Sequence, residues 1–316
     1  MIKHKCKHNT KNKQKMITRL DQVIETLKNN EKKRLVAAYA NDSHTIGAVN
    51  DAVQHGIIDA TLVGDQKTIE KTCADHNFDI NKFTVVHEAD ELKAAQKAVE
   101  LINSGEGDMI MKGLVSTDKY MKAILNKEKG LMPPKAVLSH VTVMENPNYH
   151  KLLVVSDVAV IPQPDLNQKI AITNYVVKVA QSLGIEKPKV AMIAASEQVL
   201  PKMDACVDAA IISKMADRGQ IKGAYVDGPL AIDVAIDKES AEIKKLDSMV
   251  AGDADCMVFP NIESGNVFYK VNTKLSKAEL GAMVMGAKVP AILSSRGDSV
   301  KTKLYSIAMA ALVASK

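Results

Sequence analysis

From about Leu35 onward, short apolar runs alternate with segments that have helical periodicity. Their nearly continuous apolar character is typical of parallel strands that are covered on both faces. Repeated strand–helix units of this kind predict an α/β fold. The predicted strands are Leu35–Ala40, Ala60–Gly64, Phe83–Val86, Asp108–Lys112, Val137–Met144, Leu152–Ile161, Lys189–Ala194, Ala209–Ile212, Ala224–Asp227, Cys256–Phe259 and Ala291–Ser294.

Two of the helical segments have recognisable faces. Asn167 is placed to cap a helix that Gly184 ends, because Asn favours the N-cap and Gly the position after the last turn. A second helix covers the last residues of the sequence. The apolar positions of the two helices are Thr173, Val176, Val177, Ala180 and Leu183 in the first and Val300, Leu304, Ile307, Ala308 and Ala311 in the second.

The length of 316 residues predicts two domains. The periodicity breaks at Met132–Pro134 and at Asn146–His150, and a second crossing is expected near Lys288–Pro290. We therefore expect a first α/β domain of residues 16–140 plus 290–316. Residues 141–289 then form an inserted second α/β domain.

The composition excludes several classes of partner. The chain has no Trp, four Phe and seven Tyr, too few aromatics for a surface that stacks nucleic-acid bases. The apolar run Ile307–Ala314 is far shorter than the roughly 20 residues of a membrane span. We expect small-molecule partners, and neither a nucleic acid nor a membrane.

The net charge of +5 is concentrated at the start of the sequence. Residues 1–15 contain six lysines and no acidic residue, whereas the remaining 36 basic residues face 37 acidic residues. We expect residues 1–15 to be a disordered basic leader, or an upstream extension of a chain whose functional start is Met16. A tail that binds nucleic acid or a membrane is the alternative interpretation.

Cysteine and histidine spacing indicates no metal site. The four cysteines lie far apart, no Cys-x-x-Cys is present, and the eight histidines include no His-Glu-x-x-His. This pattern predicts a reduced, cytoplasmic protein without a structural metal. The Gly-rich phosphate loop, the dinucleotide fingerprint and the Gly-x-Ser-x-Gly nucleophile elbow are also absent.

The segment Ser294–Ser299 lies between the last predicted strand and the last helix. A helix N-terminus offers free N–H groups and a partial positive charge, and Arg296 adds a guanidinium that can grip an anion with two hydrogen bonds. This combination is typical of phosphate binding. Asp298 or Ser299 can equally be a simple helix cap.

The segment Met111–Thr117 has the same arrangement at the end of another strand. Lys112 and the hydroxyls of Ser116 and Thr117 can hold a second anionic group, and Lys122 lies further along the helix. Alternatively, one hydroxyl only caps the helix and Lys122 faces solvent.

Three further polar segments follow predicted strands, where open α/β sheets bind ligands. They make Asp227 and Asn266 candidates for substrate binding. The same residue types are what ordinary turns require, so turns remain the alternative. The segments are Ser213–Gly219, Asp227–Leu230 with Asp233 further on, and Asn261–Asn266 with a turn at its last two residues.

Together, these segments resemble the phosphate acetyltransferase and phosphate butyryltransferase family. The resemblance runs in the family's order from about Leu35 to the end and is closer to the butyryl branch. That branch has Lys-Gly after Met111 and Asp-Ser-x-x-Thr-Lys after Ser-Arg, whereas acetyl-specific members usually have Ser-Gly at the first place. The matching stretches are MKGLVST (Met111–Thr117), ISKMADRG (Ile212–Gly219), YVDGPLAID (Tyr225–Asp233), FPNIESGNVFYK (Phe259–Lys270) and LSSRGDSVKTKL (Leu293–Leu304).

The resemblance implies a two-domain α/β/α fold like that of isocitrate and isopropylmalate dehydrogenases, with the active site in the cleft between the domains. It also implies transfer of a short-chain acyl group between coenzyme A and inorganic phosphate. Both are substrates in this reaction, and no tightly bound cofactor is expected. A homo-oligomer is expected as well.

Functional residues carry over by position. The family's Ser-Arg pair falls on Ser295 and Arg296, of which the serine is thought to hydrogen-bond the departing coenzyme A sulfur and the arginine to bind phosphate. An arginine of the acetyl enzymes falls on Lys122, and their proposed aspartate base falls on Thr302. Both departures argue against the acetyl-type base mechanism, and Asp298, close by, joins the expected substrate-binding residues.

Phosphate is largely dianionic at neutral pH and can attack a thioester without a strong base. The enzyme must chiefly bring two anionic substrates together and stabilise the charge that develops on them. We therefore expect direct attack in a ternary complex. The alternatives are a phosphate acetyltransferase, a metal- and NAD-dependent decarboxylating dehydrogenase of the same fold, and a ligand-binding homologue without turnover.

Overall fold

One continuous sheet of eleven strands organises the part of the chain that the computed structural model describes, residues 16–293 and 298–315. Residues 1–15, the predicted leader, lie outside these ranges. The strands are β1 (Lys33–Ala38), β2 (Ile58–Gly64), β3 (Phe83–His87), β4 (Met109–Lys112), β5 (Ser139–Glu145), β6 (Leu153–Ser156), β7 (Lys189–Ile193), β8 (Tyr225–Leu230), β9 (Cys256–Val258), β10 (Glu279–Met285) and β11 (Ala291–Ile292).

Helices pack on the sheet, so the predicted α/β class is confirmed. Many of them begin at a short polar side chain that accepts a hydrogen bond from the first turn, as expected of N-caps. The helices are α1 (Leu20–Leu27), α2 (Ser43–Gln54), α3 (Gln66–Asp75), α4 (Glu91–Asn103), α5 (Thr117–Ile124), α6 (Leu166–Ser182), α7 (Asp204–Asp217), α8 (Ile232–Ile236), α9 (Lys238–Lys244), α10 (Ile262–Lys274) and α11 (Val300–Ala314).

The sheet consists of two parallel runs joined by antiparallel strands. Its order is β3-β2-β1-β4-β11-β10-β5-β6-β9-β7-β8. The pairs β11–β10, β10–β5 and β5–β6 are antiparallel, and all the others are parallel. The run that contains β1 to β4 therefore points opposite to the run that contains β6 to β9.

The strands β5 and β10 form the centre of the sheet. They pair over seven residues, from Glu279 opposite Glu145 to Met285 opposite Ser139. Helix α11 packs against β10 so closely that a Cβ atom on Gly281 would lie 2.7 Å from the carbonyl oxygen of Tyr305. Residues 303–313 of this helix are all buried, because α1, α2 and α6 cover the sides that the sheet leaves open.

Two strand predictions are wrong. Ala209–Ile212 lies within α7, and β10 is missing from the predicted strands. A run of four apolar residues fits a buried helix as well as a strand. Only the length of the surrounding apolar pattern distinguishes the two, since helices are longer than strands. The sequence did not predict β10 because Gly281 and Ala282, at its centre, have low β-propensity. The other predicted strands overlap observed ones.

Several predicted boundaries also need correction. α6 is capped by Asp165, not by Asn167, since Asp165 and Gln168 form a reciprocal capping box; Gly184, at φ +89°, follows the end of the helix as expected. The strand predicted at Leu152–Ile161 ends at Ser156. The predicted charged loop Ser213–Gly219 is mostly the end of α7, and the predicted loop Asp227–Leu230 belongs to β8.

The three cysteines in the described part of the chain are buried and unbridged. Within the same residues, no helix has the length and apolar character that a membrane crossing needs.

An ion cluster holds the amino ends of β6, β7 and β9 together. Lys151 Nζ lies 2.8 Å from Asp253 and 2.7 Å from Asp255, and Lys189 Nζ lies 2.6 Å from Asp253. Partial burial alone raises the pKa of Asp253, but the hydrogen bonds and charges of Lys151 and Lys189 outweigh it and lower the pKa to about 2. The folded state therefore favours the ionised carboxylate.

We expect Asp253→Asn to lower the free energy of unfolding by about 1 kcal/mol at neutral pH, because half-exposed ion pairs contribute up to about that much. A carboxyl whose pKa is depressed on folding stabilises above its unfolded pKa, about 3.9, and loses this effect as the pH falls through the folded value. The difference between wild type and variant should therefore shrink between about pH 4 and about pH 2.

Urea unfolding at a series of pH values measures this difference. Asp217→Asn is the matched control, because Asp217 pairs with Lys214 on an exposed helix surface. A difference for Asp253→Asn that does not change with pH would rule out the ion cluster as its cause.

Candidate functional site

A cleft of about 510 Å³ lies between the carboxyl end of β4 and the loop that follows β6. Segments from both parallel runs of the sheet contribute to its wall. The described residues that line it are Lys112, Ser116, Thr117, His140, Val158, Ala159, Asn266, Tyr269, Leu293 and Asp298.

The first wall is the turn from β4 into α5. Gly113 donates its N–H to the carbonyl of Ala38, and a Cβ atom here would lie 2.5 Å from the carbonyl oxygen of Tyr39, so only glycine fits. The buried Lys112 side chain donates to the carbonyl of Gly113 (3.2 Å). Lys112 therefore brings a cation to the cleft at the end of a strand.

Ser116 is the N-cap of α5, as one interpretation of the sequence predicted. Its hydroxyl accepts from Lys119 N at 3.4 Å, and its own N–H donates to Glu91. Glu91 also forms an ion pair with Lys119. Ser116 and Thr117 thus place the start of a helix, with its partial positive charge, beside Lys112 in the cleft.

The second wall is built on the buried carboxylate of Asp157. One oxygen accepts from Ser139 Oγ (2.9 Å) and His140 N (3.1 Å), and the other from Ala159 N (2.7 Å) and Val160 N (2.8 Å). Four donors hold the charge in place, so this carboxylate is structural. It fixes the loop after β6 against the start of β5.

His140, at the start of β5, lines the cleft and is only 6% exposed. Its Nδ1 lies 3.4 Å from Thr142 Oγ1, and its Nε2 has no hydrogen-bond partner among the described residues. Burial lowers the pKa of His140, opposed by the nearby charges of Asp157 and Asp298. The imidazole is therefore neutral at neutral pH.

The third wall is the first part of α10. Asn261 caps this helix, and a Cβ atom on Gly265 would lie 2.2 Å from the carbonyl oxygen of Asp157. This close approach lets Asn266 Nδ2 donate to the carbonyl of Val158 (2.9 Å). One turn later, Tyr269 also lines the cleft, where burial and the charge of Asp298 raise its pKa to about 12.

The predicted turn at Gly265-Asn266 is therefore wrong, because both residues lie in the first turns of a helix. Asn and Gly are common in turns. Here, however, Asn261 caps the helix, and Gly265 allows the helix to lie close to the loop after β6.

The structure brings together half of the predicted site residues. Five of them line the cleft: Lys112, Ser116, Thr117, Asn266 and Asp298. Ser295 and Arg296 lie outside the described residues. In the sequence they stand between Leu293 and Asp298, which both line the cleft.

Three other predicted residues do not line the cleft. Lys122 is exposed on α5, and Asp227 lies in β8, at the edge of the sheet, where it accepts from the N–H of Gly228. Thr302 lies in the first turn of α11, where its N–H donates to Ser299 Oγ (3.0 Å), so Ser299 is the cap of this helix.

The cleft combines two kinds of surface. Lys112 and the start of α5 suit an anionic group, whereas Val158, Ala159 and Leu293 offer apolar contacts. Among the described residues, no cluster of three His, Cys, Asp or Glu side chains could hold a metal ion. The site can therefore hold an anion next to a short apolar chain.

The chain is similar to acyltransferases of known function along nearly its whole length. The family model described as "Phosphate acetyl/butaryl transferase" matches residues 18–96 and 86–311. A phosphate butyryltransferase from Clostridium acetobutylicum is 47% identical over 95% of this chain and 99% of its own length. A phosphate acetyltransferase from Thermotoga maritima is 39% identical over 93% of this chain and 99% of its own.

A solved structure agrees with the fold. The crystal structure of a branched-chain phosphotransacylase from Enterococcus faecalis superposes with a TM-score of 0.77 at 31% identity, and it covers 89% of this chain and 99% of that one.

The contact between Gly265 and Asp157 gives a test of the third wall. We expect Gly265→Ala to lower the free energy of unfolding by about 1–3 kcal/mol, because the new methyl group meets a backbone oxygen at 2.2 Å. Helix propensity alone would favour alanine by about 1 kcal/mol. Urea unfolding measures the net effect.

Gly47→Ala in α2 is the matched control, since its Cβ would meet only Phe78 Cζ at 3.5 Å, an ordinary contact. It should be neutral or stabilising. A Gly265→Ala variant as stable as this control would show that α10 does not depend on the close approach.

Proposed function

The chain belongs to the phosphate acetyl/butyryl transferase family, and on this premise we propose that it transfers a butyryl group between coenzyme A and inorganic phosphate. The reaction is butyryl-CoA + phosphate ⇌ butyryl phosphate + CoA. The observation that carries the proposal is the pairing, in one cleft, of an anion-binding corner at Lys112 with an apolar wall at Val158 and Ala159.

The proposed mechanism is direct attack in a ternary complex. Lys112 and the start of α5 bind phosphate through charge and N–H donors, and the acyl chain lies along the apolar wall. By family resemblance, Arg296 grips the phosphate and Ser295 donates a hydrogen bond to the departing sulfur. Fixed positive charge also stabilises the oxyanion that forms when phosphate attacks the carbonyl.

We propose that the site lies between two domains, as in isocitrate and isopropylmalate dehydrogenases. Residues 16–140 plus 290–316 form the first domain and residues 141–289 the second. The strand order supports this division, since β1 to β4 and β11 make up one run of the sheet and β6 to β9 the other. Residues that line the cleft come from both groups.

Coenzyme A and phosphate are substrates in this proposal, and no resident cofactor takes part. The chain works as a homo-oligomer in the cytoplasm on small molecules. The family resemblance supports the oligomer, and the near balance of charge after residue 15 supports small anionic partners over nucleic acid.

A phosphate acetyltransferase is the second candidate, favoured by the similarity to the Thermotoga maritima enzyme. Acyl-chain preference depends on the volume of the apolar part of the cleft, and one methylene changes the preference by about 1–3 kcal/mol.

Release of free thiol from butyryl-CoA, with and without phosphate and with acetyl-CoA in parallel, tests the proposal. We expect release that requires phosphate and favours butyryl-CoA. A preference for acetyl-CoA would select the second candidate, and no release from a folded protein would contradict acyl transfer. A stoichiometric acyl-enzyme formed from acyl-CoA alone would contradict direct attack.

Arg296→Ala should lower kcat/KM for phosphate by on the order of 100-fold, equivalent to about 3 kcal/mol, because an anion contact in the transition state is lost. KM and kcat from initial rates at varied phosphate check this. Arg218→Ala, at the exposed end of α7, is the matched control and should keep the wild-type value. An equal value for both variants would remove Arg296 from the site.

A further inference from the structure

The proposed reaction moves one proton as well as one acyl group. The substrate HPO₄²⁻ carries a proton that the product acyl phosphate dianion lacks, and the leaving coenzyme A gains a proton on sulfur. Acylation makes the remaining phosphate hydroxyl far more acidic, so even a weak base can take this proton. A group in the cleft that takes and returns this proton near neutral pH would therefore accelerate the reaction.

We propose that His140 is this group and carries the proton from phosphate to the coenzyme A sulfur. This role rests on the proposed function. The side chain lines the cleft, its Nε2 has no partner among the described residues, and the neighbouring Thr142 hydroxyl holds the other ring nitrogen. With the proton on Nδ1 donated to Thr142 Oγ1, the lone pair of Nε2 is available to substrate.

An unprotonated phosphate oxygen attacks the thioester carbon and forms the new C–O bond, while Nε2 of His140 accepts the proton of the phosphate hydroxyl. Collapse of the tetrahedral adduct breaks the C–S bond, and its electron pair stays on sulfur. The imidazolium then gives its proton to this thiolate, and His140 returns to its neutral form.

Four other groups in or beside the cleft are less suited to this task. Asp157 already accepts four hydrogen bonds, and the raised pKa of Tyr269 keeps that hydroxyl protonated at neutral pH. Lys112 already donates to the carbonyl of Gly113, and Thr302, at the position of the acetyl enzymes' proposed base, is not part of the cleft wall. His140 lines the cleft, and its Nε2 has no hydrogen-bond partner among the described residues.

The groups that face His140 set the direction of its pH dependence. Its partner in β10 is Val284, and Tyr175 of α6 donates to the carbonyl of Val137 nearby. The charged and titratable groups around it are Asp157 after β6, Asp298 before α11, Lys112 at the end of β4 and Tyr269 on α10. Burial dominates and lowers the pKa of His140 below its ordinary value, so the base is lost only in the acidic range.

The test compares kcat at saturating butyryl-CoA and phosphate for the wild type and His140→Gln over the acidic and neutral range. Glutamine keeps hydrogen-bonding groups near Nε2 but cannot carry a proton. We expect kcat to fall on the order of 100-fold with little change in either KM, since general acid–base catalysis contributes at least about that factor. The phosphate ionisation should appear in both profiles, and an additional acidic limb only in the wild type.

His150→Gln is the matched control, because His150 is exposed and lies outside the cleft. It should keep the wild-type kcat and pH profile. A folded His140→Gln with wild-type kcat, or with reduced kcat and an unchanged acidic limb, overturns the role of His140. If the wild type itself shows no phosphate-dependent release, the proposed function fails, which is a separate result.

A second variant covers the case in which His140→Gln does not fold, as judged by circular dichroism. His140→Ala leaves space for imidazole from solution. A low rate that added imidazole restores in part supports proton transfer at this position, and a wild-type rate without imidazole overturns it.

Discussion

The antiparallel pair of β5 and β10 is the constraint on which the rest of the structure depends. Without it, the chain would consist of two parallel runs that point in opposite directions and share no edge. Their seven-residue register fixes which residues of one half face which of the other. Because an antiparallel ladder that slips by one residue turns every side chain to the opposite face, this register also decides that His140 points into the cleft.

The carboxylate of Asp157 transmits that register to the site. It bonds the start of β5 through Ser139 and His140, and the loop after β6 through Ala159 and Val160. The carbonyl of the same residue lies against Gly265 of α10. One buried residue thus orders three segments of the cleft, and the desolvation of its charge is offset by four donors.

The sequence predicted the strands of the two parallel runs better than the antiparallel strands that join them. The strands β1 to β4 are apolar and bounded by clear turns, so their pattern is unambiguous. The sequence did not predict β10 because its small residues Gly281 and Ala282 fit the close packing against α11. No local sequence pattern reveals such a contact. Ala209–Ile212 was predicted as a strand but lies in a helix, because a short run of only apolar residues shows neither helical nor strand periodicity.

The position of each residue along its strand decides which site residues the sequence could predict. The sequence predicted Lys112 and Ser116 as site residues because Lys112 ends a parallel strand and Ser116 follows it, and ligands of open sheets bind at that strand end. His140 was missed because it stands at the beginning of a strand, and only the reversal of β5 relative to β6 brings it to the end of β6. Asp227 met the strand-end rule, but the sheet order separates β8 from β4 by six strands.

In the mechanism proposed above, acyl selection and proton transfer are physically coupled. Ala159 forms part of the apolar wall, and its N–H is bound by the carboxylate that also accepts from the backbone of His140. A change that moves this loop to admit a longer chain must also shift the carboxylate, and with it the start of β5. Chain length can therefore be altered at low cost only by side-chain volume at Val158, Ala159 or Leu293, while the backbone around Asp157 stays fixed.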